Sequence, residues 1–332
     1  MEFLGVGSPA SGPAFDVVPV APRVSGEIGF ARALRRFTRR PPPNNSIIIA
    51  NSELHAWAAR RWTATVPLVF VSHGPTYPTL TVRRPFIALL FRRVIEPGAV
   101  QAARRIIAID RHAERYFRGI YPNASLQRIP LAIDTEHFAP VDRREARTQW
   151  GLSGEFALLF VGRLAPEKNP GRAVSVYRGV LRSIPEAVLL VAGTGSLRAI
   201  LENAAEELGP TRIRLLGDVP RSALPSLYSA ADGLLLTSDI EQFPTVMLES
   251  LACGTPVFST DVGDVSLVLT DPAMGAVCPP DPDLIARRII QYAPEERGQR
   301  ANRVLVRRKV SKEYDWSAIG PRIERVLREA AG

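Results

Sequence analysis

Apolar and polar positions fall into two alternating textures along the chain. Short apolar runs recur at 46–52 (SIIIANS), 66–74 (VPLVFVSHG), 104–110 (RRIIAID), 156–164 (FALLFVGRL), 187–195 (AVLLVAGTG), 213–219 (IRLLGDV), 233–239 (GLLLTSD) and 255–260 (TPVFST). They are too short for globular helices and apolar at successive positions, which predicts strands buried on both faces of a parallel sheet. Between them lie stretches with apolar residues every three or four positions, such as ELHAWAARRW, RRPFIALLFRRVIEPGAVQAA, RHAERYFRGI, AVSVYRGVLRSI, LRAILENAAEEL and LPSLYSAA. These predict helices. Ahead of them, FLGVGSP and FDVVPVAP suggest short strands. GEIGFARALRRFTRR suggests an amphipathic helix with Ile28, Ala31, Leu34 and Phe37 on one face, ended by PPPNN. Strand and helix alternating throughout argue an α/β protein with doubly wound sheets. RREARTQWG reads as a boundary helix. The expected division is an N-terminal domain over 1–143, a C-terminal domain over 144–310, and a last helical stretch over 311–332.

Composition narrows the class. The 332 residues are 46% hydrophobic and 23% charged, a globular balance with room for two domains. No apolar run is long enough for a membrane-spanning helix, and the N-terminus lacks the charged and apolar regions of a signal peptide. Cys253 and Cys278 make no disulfide framework and no metal spacing, which fits a cytoplasmic location. The charge is lopsided. Residues 1–150 hold 21 Arg, no Lys and 11 Asp plus Glu, so the whole net +9 belongs to the first half. That suggests an anionic partner, such as a membrane surface, or an Arg-biased solvated face. No nucleic-acid motif accompanies it, and nucleic acid is not expected as a partner.

The richest chemistry lies in Ser238–Gly263, SDIEQFPTVMLESLACGTPVFSTDVG. Glu241 and Glu249 stand eight residues apart, the first in a loop before Pro244 and the second on a helix that starts near Thr245, a candidate N-cap. A carboxylate can clamp two hydroxyls of a sugar, and a helix N-terminus suits a phosphate. Upstream, 160–170 (FVGRLAPEKNP) places Arg163 and Lys168 on one strand-end loop, a pair of cations suited to a diphosphate. The blander alternative for each is a charged surface turn or glutamates flanking an ordinary helix.

Together these segments resemble the family-4 glycosyltransferases, retaining enzymes with the GT-B fold of two Rossmann-like domains facing a cleft. Glu241 and Glu249 match that family's E-x7-E motif, and ESLACGTPVFSTDVG its following helix and strand. Gly162, Arg163 and Lys168 match its G-R-x-x-x-x-K signature. The resemblance implies transfer of a sugar from a nucleoside-diphosphate sugar, without a metal ion or other cofactor. Glu241, Arg163, Lys168 and His73 are then the catalytic candidates. Gly162, Gly193, Leu216, Gly217, Phe243, Thr245, Val246 and Glu249 are the donor-binding candidates, with Glu249 on the ribose and the backbone at Leu216 and Gly217 beside the base. The base remains open, and so does the acceptor, which is lipid-linked, a polysaccharide or a small molecule. A peripheral position at the cytoplasmic face of a membrane fits the basic first half. The last helical stretch is expected to cross back to the first domain.

Departures accompany the resemblance. IPLAIDTEHFAP is similar to the family's P-N-G-V-D-x-x-x-F segment, but Leu131 and Ala132 stand where Asn-Gly is usual. The family's opening strand, glycine-rich loop and long helix are not found in their expected form before SIIIANS. His55, on a helix, reads as structural. Competing readings are a sugar-nucleotide epimerase of the same fold and a non-catalytic nucleotide-sugar-binding module.

Overall fold

The computed structural model describes residues 46–74, 85–296 and 300–332. The strands and helix expected before residue 46, and Arg83-Arg84, lie outside the described residues. The first described unit is a four-stranded parallel sheet, in spatial order β1 (Ile48–Ala50), β2 (Leu68–Ser72), β3 (Arg105–Ala108), β4 (Leu126–Arg128). Helix α1 (Glu53–Ala59) joins β1 to β2, and α4 (Arg111–Ile120) joins β3 to β4. The connection from β2 to β3 includes α2 (Pro85–Leu90), a π-helical turn (Phe91–Ile95) and α3 (Glu96–Ala102). The sequence suggests one continuous helix there. Pro97 supplies no N–H for the helical ladder, and the turn ahead of it widens: the Glu96 amide reaches back to the Phe91 carbonyl, an i to i+5 bond.

The second unit is a six-stranded parallel sheet in the order β10-β9-β8-β5-β6-β7. It begins after α5 (Arg143–Gln149) with β5 (Phe156–Val161), α6 (Pro170–Leu181), β6 (Ala187–Ala192), α7 (Arg198–Leu208) and β7 (Ile213–Gly217). The chain then crosses to the other side of β5 through α8 (Leu224–Ala230) and continues as β8 (Gly233–Leu236), α9 (Thr245–Ala252), β9 (Val257–Thr260), the short α10 (Val265–Val268) and β10 (Gly275–Cys278). Helices α11 (Pro282–Glu296), α12 (Arg300–Tyr314) and α13 (Trp316–Ala331) complete it. Side chains of β5 alternate between two cores. Phe156, Leu158 and Phe160 pack with α6 and α11, while Ala157 and Leu159 pack with α8 and α9. The protein is a two-domain Rossmann-like α/β fold of the GT-B kind.

Two junctions join the units. Helix α13 lies on the first sheet, where Ile319, Val326, Leu327 and Ala330 meet Val69, Ile107 and Ile129. The Ile133 amide donates to the Tyr314 carbonyl at 2.8 Å, and the Asp315 carboxylate accepts from the Thr135 hydroxyl at 2.6 Å. Nearer the cleft, Asp264 of the second unit, 1% exposed, accepts from the Arg111 amide and guanidinium at 3.1 Å and from Arg128 at 3.0 Å. Both arginines belong to the first unit.

Candidate functional site

The strand order of the second sheet reverses at β5, because β6 lies on one side of it and β8 on the other. The loops leaving β5 and β8 therefore meet at the carboxyl ends of the strands where the order reverses, which is where ligands bind in doubly wound sheets. These two loops are stitched together. The Asp239 amide donates to the Glu167 carbonyl at 2.9 Å, and the Thr237 hydroxyl to the carbonyls of Lys168 and Asn169 at 3.2 and 3.1 Å. Arg172 holds Asp239 at 2.7 Å.

The loop after β5 makes a 3-10 turn at Pro166–Lys168 and ends at Asn169, whose φ of 46° is left-handed. Its side chain accepts from the Arg172 amide at 3.0 Å and caps α6. That stop fixes where Lys168 points. Its ammonium lies 2.5 Å from Glu241 Oε1, which also accepts from the Ser238 hydroxyl at 2.7 Å. Both bonds fall on one oxygen. Among the described residues Oε2 has no donor, so it remains for a ligand hydroxyl. Arg163 stands on the same loop, 73% exposed, with its guanidinium 2.6 Å from Glu167. An ion pair that exposed contributes little and yields readily to a stronger anion.

Glu249 lies apart from this pair, on the second turn of α9 and 7% exposed. Its Oε2 accepts from the wholly buried Tyr228 hydroxyl at 2.8 Å. Burial pushes its carboxyl above the usual range, opposed by that bond and by the charges of Arg221 and His137. Thr245 is the first helical residue and exposed, not the cap. Pro244 holds the cap position and offers no side-chain acceptor. The Met247 amide turns back to the Pro244 carbonyl at 3.1 Å, which leaves the amides of Thr245 and Val246 for another partner. Phe243 is buried beside Tyr314, with ring centroids 6.1 Å apart, and Val246 packs on the core.

The glycine candidates sit at adjacent strand ends. Gly193 has φ 140°, and a Cβ there would stand 1.9 Å from the Gly162 carbonyl oxygen. The approach leaves no room for a side chain at Gly193, whereas at Gly162 it is the positive φ of 151° that favours glycine. Gly217, φ 69°, faces open space, with Leu216 partly buried before it.

His73 follows β2, and Gly74 meets the second unit. A Cβ on Gly74 would come within 2.4 Å of the Gln242 side chain, next to Glu241. The first unit's histidine strand and the second unit's carboxylate loop thus face each other across the cleft. Burial lowers the His73 pKa, and the nearby Asp110 carboxylate opposes that. His55 bonds to the Ser52 hydroxyl at 2.8 Å at the start of α1, a local role. Sequence patterning did not single out Gln242, Tyr228 or Asp264. Tyr228 stands 21 residues from Glu249, Asp264 stands 153 from Arg111, and Gln242 meets Gly74 of the other unit, and a single sequence carries no signal for such pairings. Among the described residues, no cluster of three or more His, Cys, Asp and Glu could hold a metal ion.

Two Rossmann-like units facing each other and a cation–carboxylate pair at the strand reversal of the second define a protein of the GT-B class. Two family models match the chain in succession: Glycosyltransferase Family 4 over residues 9–137 and Glycosyl transferases group 1 over residues 142–304. The chain belongs to the GT-B glycosyltransferases. It is 32% identical over 267 residues to a D-inositol 3-phosphate glycosyltransferase of Nocardia farcinica, covering 74% of this chain and 58% of that protein. It is 26% identical over 250 residues to a GDP-mannose-dependent alpha-(1-6)-phosphatidylinositol monomannoside mannosyltransferase of Mycolicibacterium smegmatis, covering 70% and 65%. The chain thus spans between half and two thirds of the length of these relatives. Among solved structures, sucrose-phosphate synthase of Thermosynechococcus elongatus superposes with a TM-score of 0.75 at 23% identity, over 91% of this chain and 77% of that one. Anabaena HepE in complex with UDP gives 0.74 at 20%, over 91% and 82%. These two share the fold.

Proposed function

We propose that the protein transfers a sugar from a nucleoside-diphosphate sugar to an acceptor hydroxyl with retention at the anomeric carbon and without a divalent metal. The observation that carries this reading is the Lys168–Glu241 pair at the strand reversal, with Arg163 on the same loop. Breaking the bond between the anomeric carbon and the phosphate oxygen leaves the bonding pair on that oxygen and adds one negative charge to the diphosphate, and the barrier falls if positive charge is already waiting there. Lys168, Arg163 and the leading amides of α9 supply it. Glu241 Oε2 takes a hydroxyl of the donor sugar, and Glu249 the ribose. The acceptor oxygen bonds the anomeric carbon on the face the phosphate leaves, and its proton passes to the departing phosphate oxygen. His73 closes the site from the first domain.

Two features of similar proteins direct the substrate search. HepE has been solved with UDP and with UDP-glucose, and the curated relatives are named for inositol phosphate and phosphatidylinositol mannoside. UDP and GDP sugars against inositol phosphates and phosphoinositides are therefore the first panel. A cytoplasmic protein would meet such donors where they are made. Release of nucleoside diphosphate together with an α-linked product from an α-donor, measured by NMR in the presence of a chelator, supports the reading. An inverted product, or turnover only with added metal, overturns it. An epimerised donor would reassign the chain to a different reaction.

A further inference from the structure

The first unit carries a charge arrangement that the transfer reaction does not use. Between residues 46 and 109 the only carboxylates are Glu53 and Glu96. Both are buried, at 2% and 1% exposure. Glu96 is tied inward by the hydroxyls of Tyr116 and Tyr121, each at 2.9 Å. No acidic side chain of this stretch therefore reaches the described surface, while Arg60, Arg61, Arg92 and Arg93 are all exposed. Burying the carboxylates of a segment while exposing its arginines leaves its surface charge wholly positive, and Arg60 and Arg93 line one groove.

Apolar side chains stand among these cations. Leu89 and Leu90 are each 54% exposed and Val94 is 45% exposed, at the end of α2 and in the π-helical turn. Next to them a surface groove of about 530 Å³ is lined by Trp57, Arg60, Arg93, Val94, Pro97 and Gly98, among others. The Arg60 guanidinium lies 3.9 Å above the Trp57 ring. Gly98 lets that ring rest on α3, since a Cβ there would come within 2.7 Å of it. A folded protein normally hides leucines, and a basic rim around exposed apolar side chains matches the headgroup boundary of an anionic bilayer.

We infer that this face docks on an anionic membrane, with Leu89, Leu90 and Val94 entering the interface and the arginines meeting lipid phosphates. The groove beside Trp57 takes one headgroup. This face belongs to the same unit as His73 and Gly74, so docking brings the first unit of the proposed transferase to the lipid surface. The inference bears on that reading, but its test reads binding and needs no turnover.

The test is co-sedimentation of the full chain with vesicles of phosphatidylcholine alone and with about a third phosphatidylserine. Binding should require the anionic lipid and fall as salt rises. R92Q/R93Q should weaken it by about 30-fold, the combined effect of two cations near such a surface. L89Q/L90Q/V94Q should weaken it by at least about tenfold at low salt, where charge alone remains. Both variants alter exposed side chains, and unchanged thermal melting should verify that they fold. Equal binding to both vesicle types, no binding to either, or apolar variants as competent as the parent would overturn the inference. So would displacement of bound protein by a short RNA at equimolar phosphate, which would assign the basic face to nucleic acid.

Discussion

The Lys168 ammonium and the Glu241 carboxylate lie 2.5 Å apart, joining the loop after β5 to the loop after β8. They are 73 residues apart in sequence, and neither is far exposed, at 22% and 11%. The lysine thus neutralises the carboxylate before any donor arrives. In the proposed reaction the diphosphate of the donor would compete for the same ammonium, so the joint between the two loops would also serve as the charge clamp. Lys168→Ala should therefore reduce kcat/KM by about 10²-fold or more, as expected when a preorganised charge is lost from a departing anion. Steady-state kinetics would measure it, and a variant within a few-fold of the parent would remove Lys168 from the reaction.

Arg163 is the looser of the two cations. Arg163→Ala should weaken nucleoside-diphosphate affinity by roughly 1.5–3 kcal/mol, the scale of hydrogen bonds to charged groups. It should leave thermal stability nearly unchanged, because the Arg163–Glu167 pair is exposed. Calorimetry with UDP and GDP would read the first effect. A nucleoside without phosphates should bind the variant and the parent alike.

Glu249 and Glu241 should separate in their effects. Glu249→Ala should weaken binding of the free nucleotide, whereas Glu241→Ala should spare it and impair turnover of the intact donor. Tyr228→Phe tests the support beneath Glu249, since it removes the hydrogen bond that the Tyr228 hydroxyl donates to that carboxylate. It should cost roughly 1 kcal/mol of stability and some nucleotide affinity. Equal loss of nucleotide binding in Glu241→Ala and Glu249→Ala would merge the two roles.

Asp264 fixes one domain to the other. Asp264→Asn should destabilise the protein by roughly 2 kcal/mol, by weakening charged hydrogen bonds to Arg111 and Arg128 at a carboxylate 1% exposed. Denaturant unfolding would give the figure. Small-angle scattering should at the same time report a wider distribution of domain separations. A variant as stable and as compact as the parent would show that α13 and the Thr135–Asp315 contact suffice.

Asp315 gives a pH signature. Burial opposes its ionisation, but hydrogen bonds from Ser317 and Thr135 prevail and hold its carboxyl at about 2, against 3.8 for a free side chain. A depressed folded pKa means that its stabilisation is complete above 3.8 and is lost as pH falls through about 2. Asp315→Asn should be less stable than the parent near neutrality, and the gap should close in acid. Urea unfolding over that range would measure it. A gap independent of pH would place the effect in shape rather than charge.

Much of this molecule was legible in its sequence, for local reasons. Apolar runs such as VLLVA and GLLL can be buried only by pairing with neighbours on both sides, so parallel sheets follow from composition and spacing alone. Glycines 162, 193 and 217 end strands because their positive φ angles need them. Glu241, Glu249, Arg163 and Lys168 were picked out by motif spacing. Tertiary structure decided what they face. That Lys168 meets Glu241, that Glu249 is capped by Tyr228 rather than open, and that Asp264 is seized by two arginines of the other domain depends on which loops the strand order brings together. So does the bare basic face around Leu89 and Leu90. A sequence records that arginines outnumber acids, but only the fold buries Glu53 and Glu96 and leaves the cations outside. Periodicity encodes what each residue needs from water. Which distant residue answers that need is set by chain topology, which no local pattern carries.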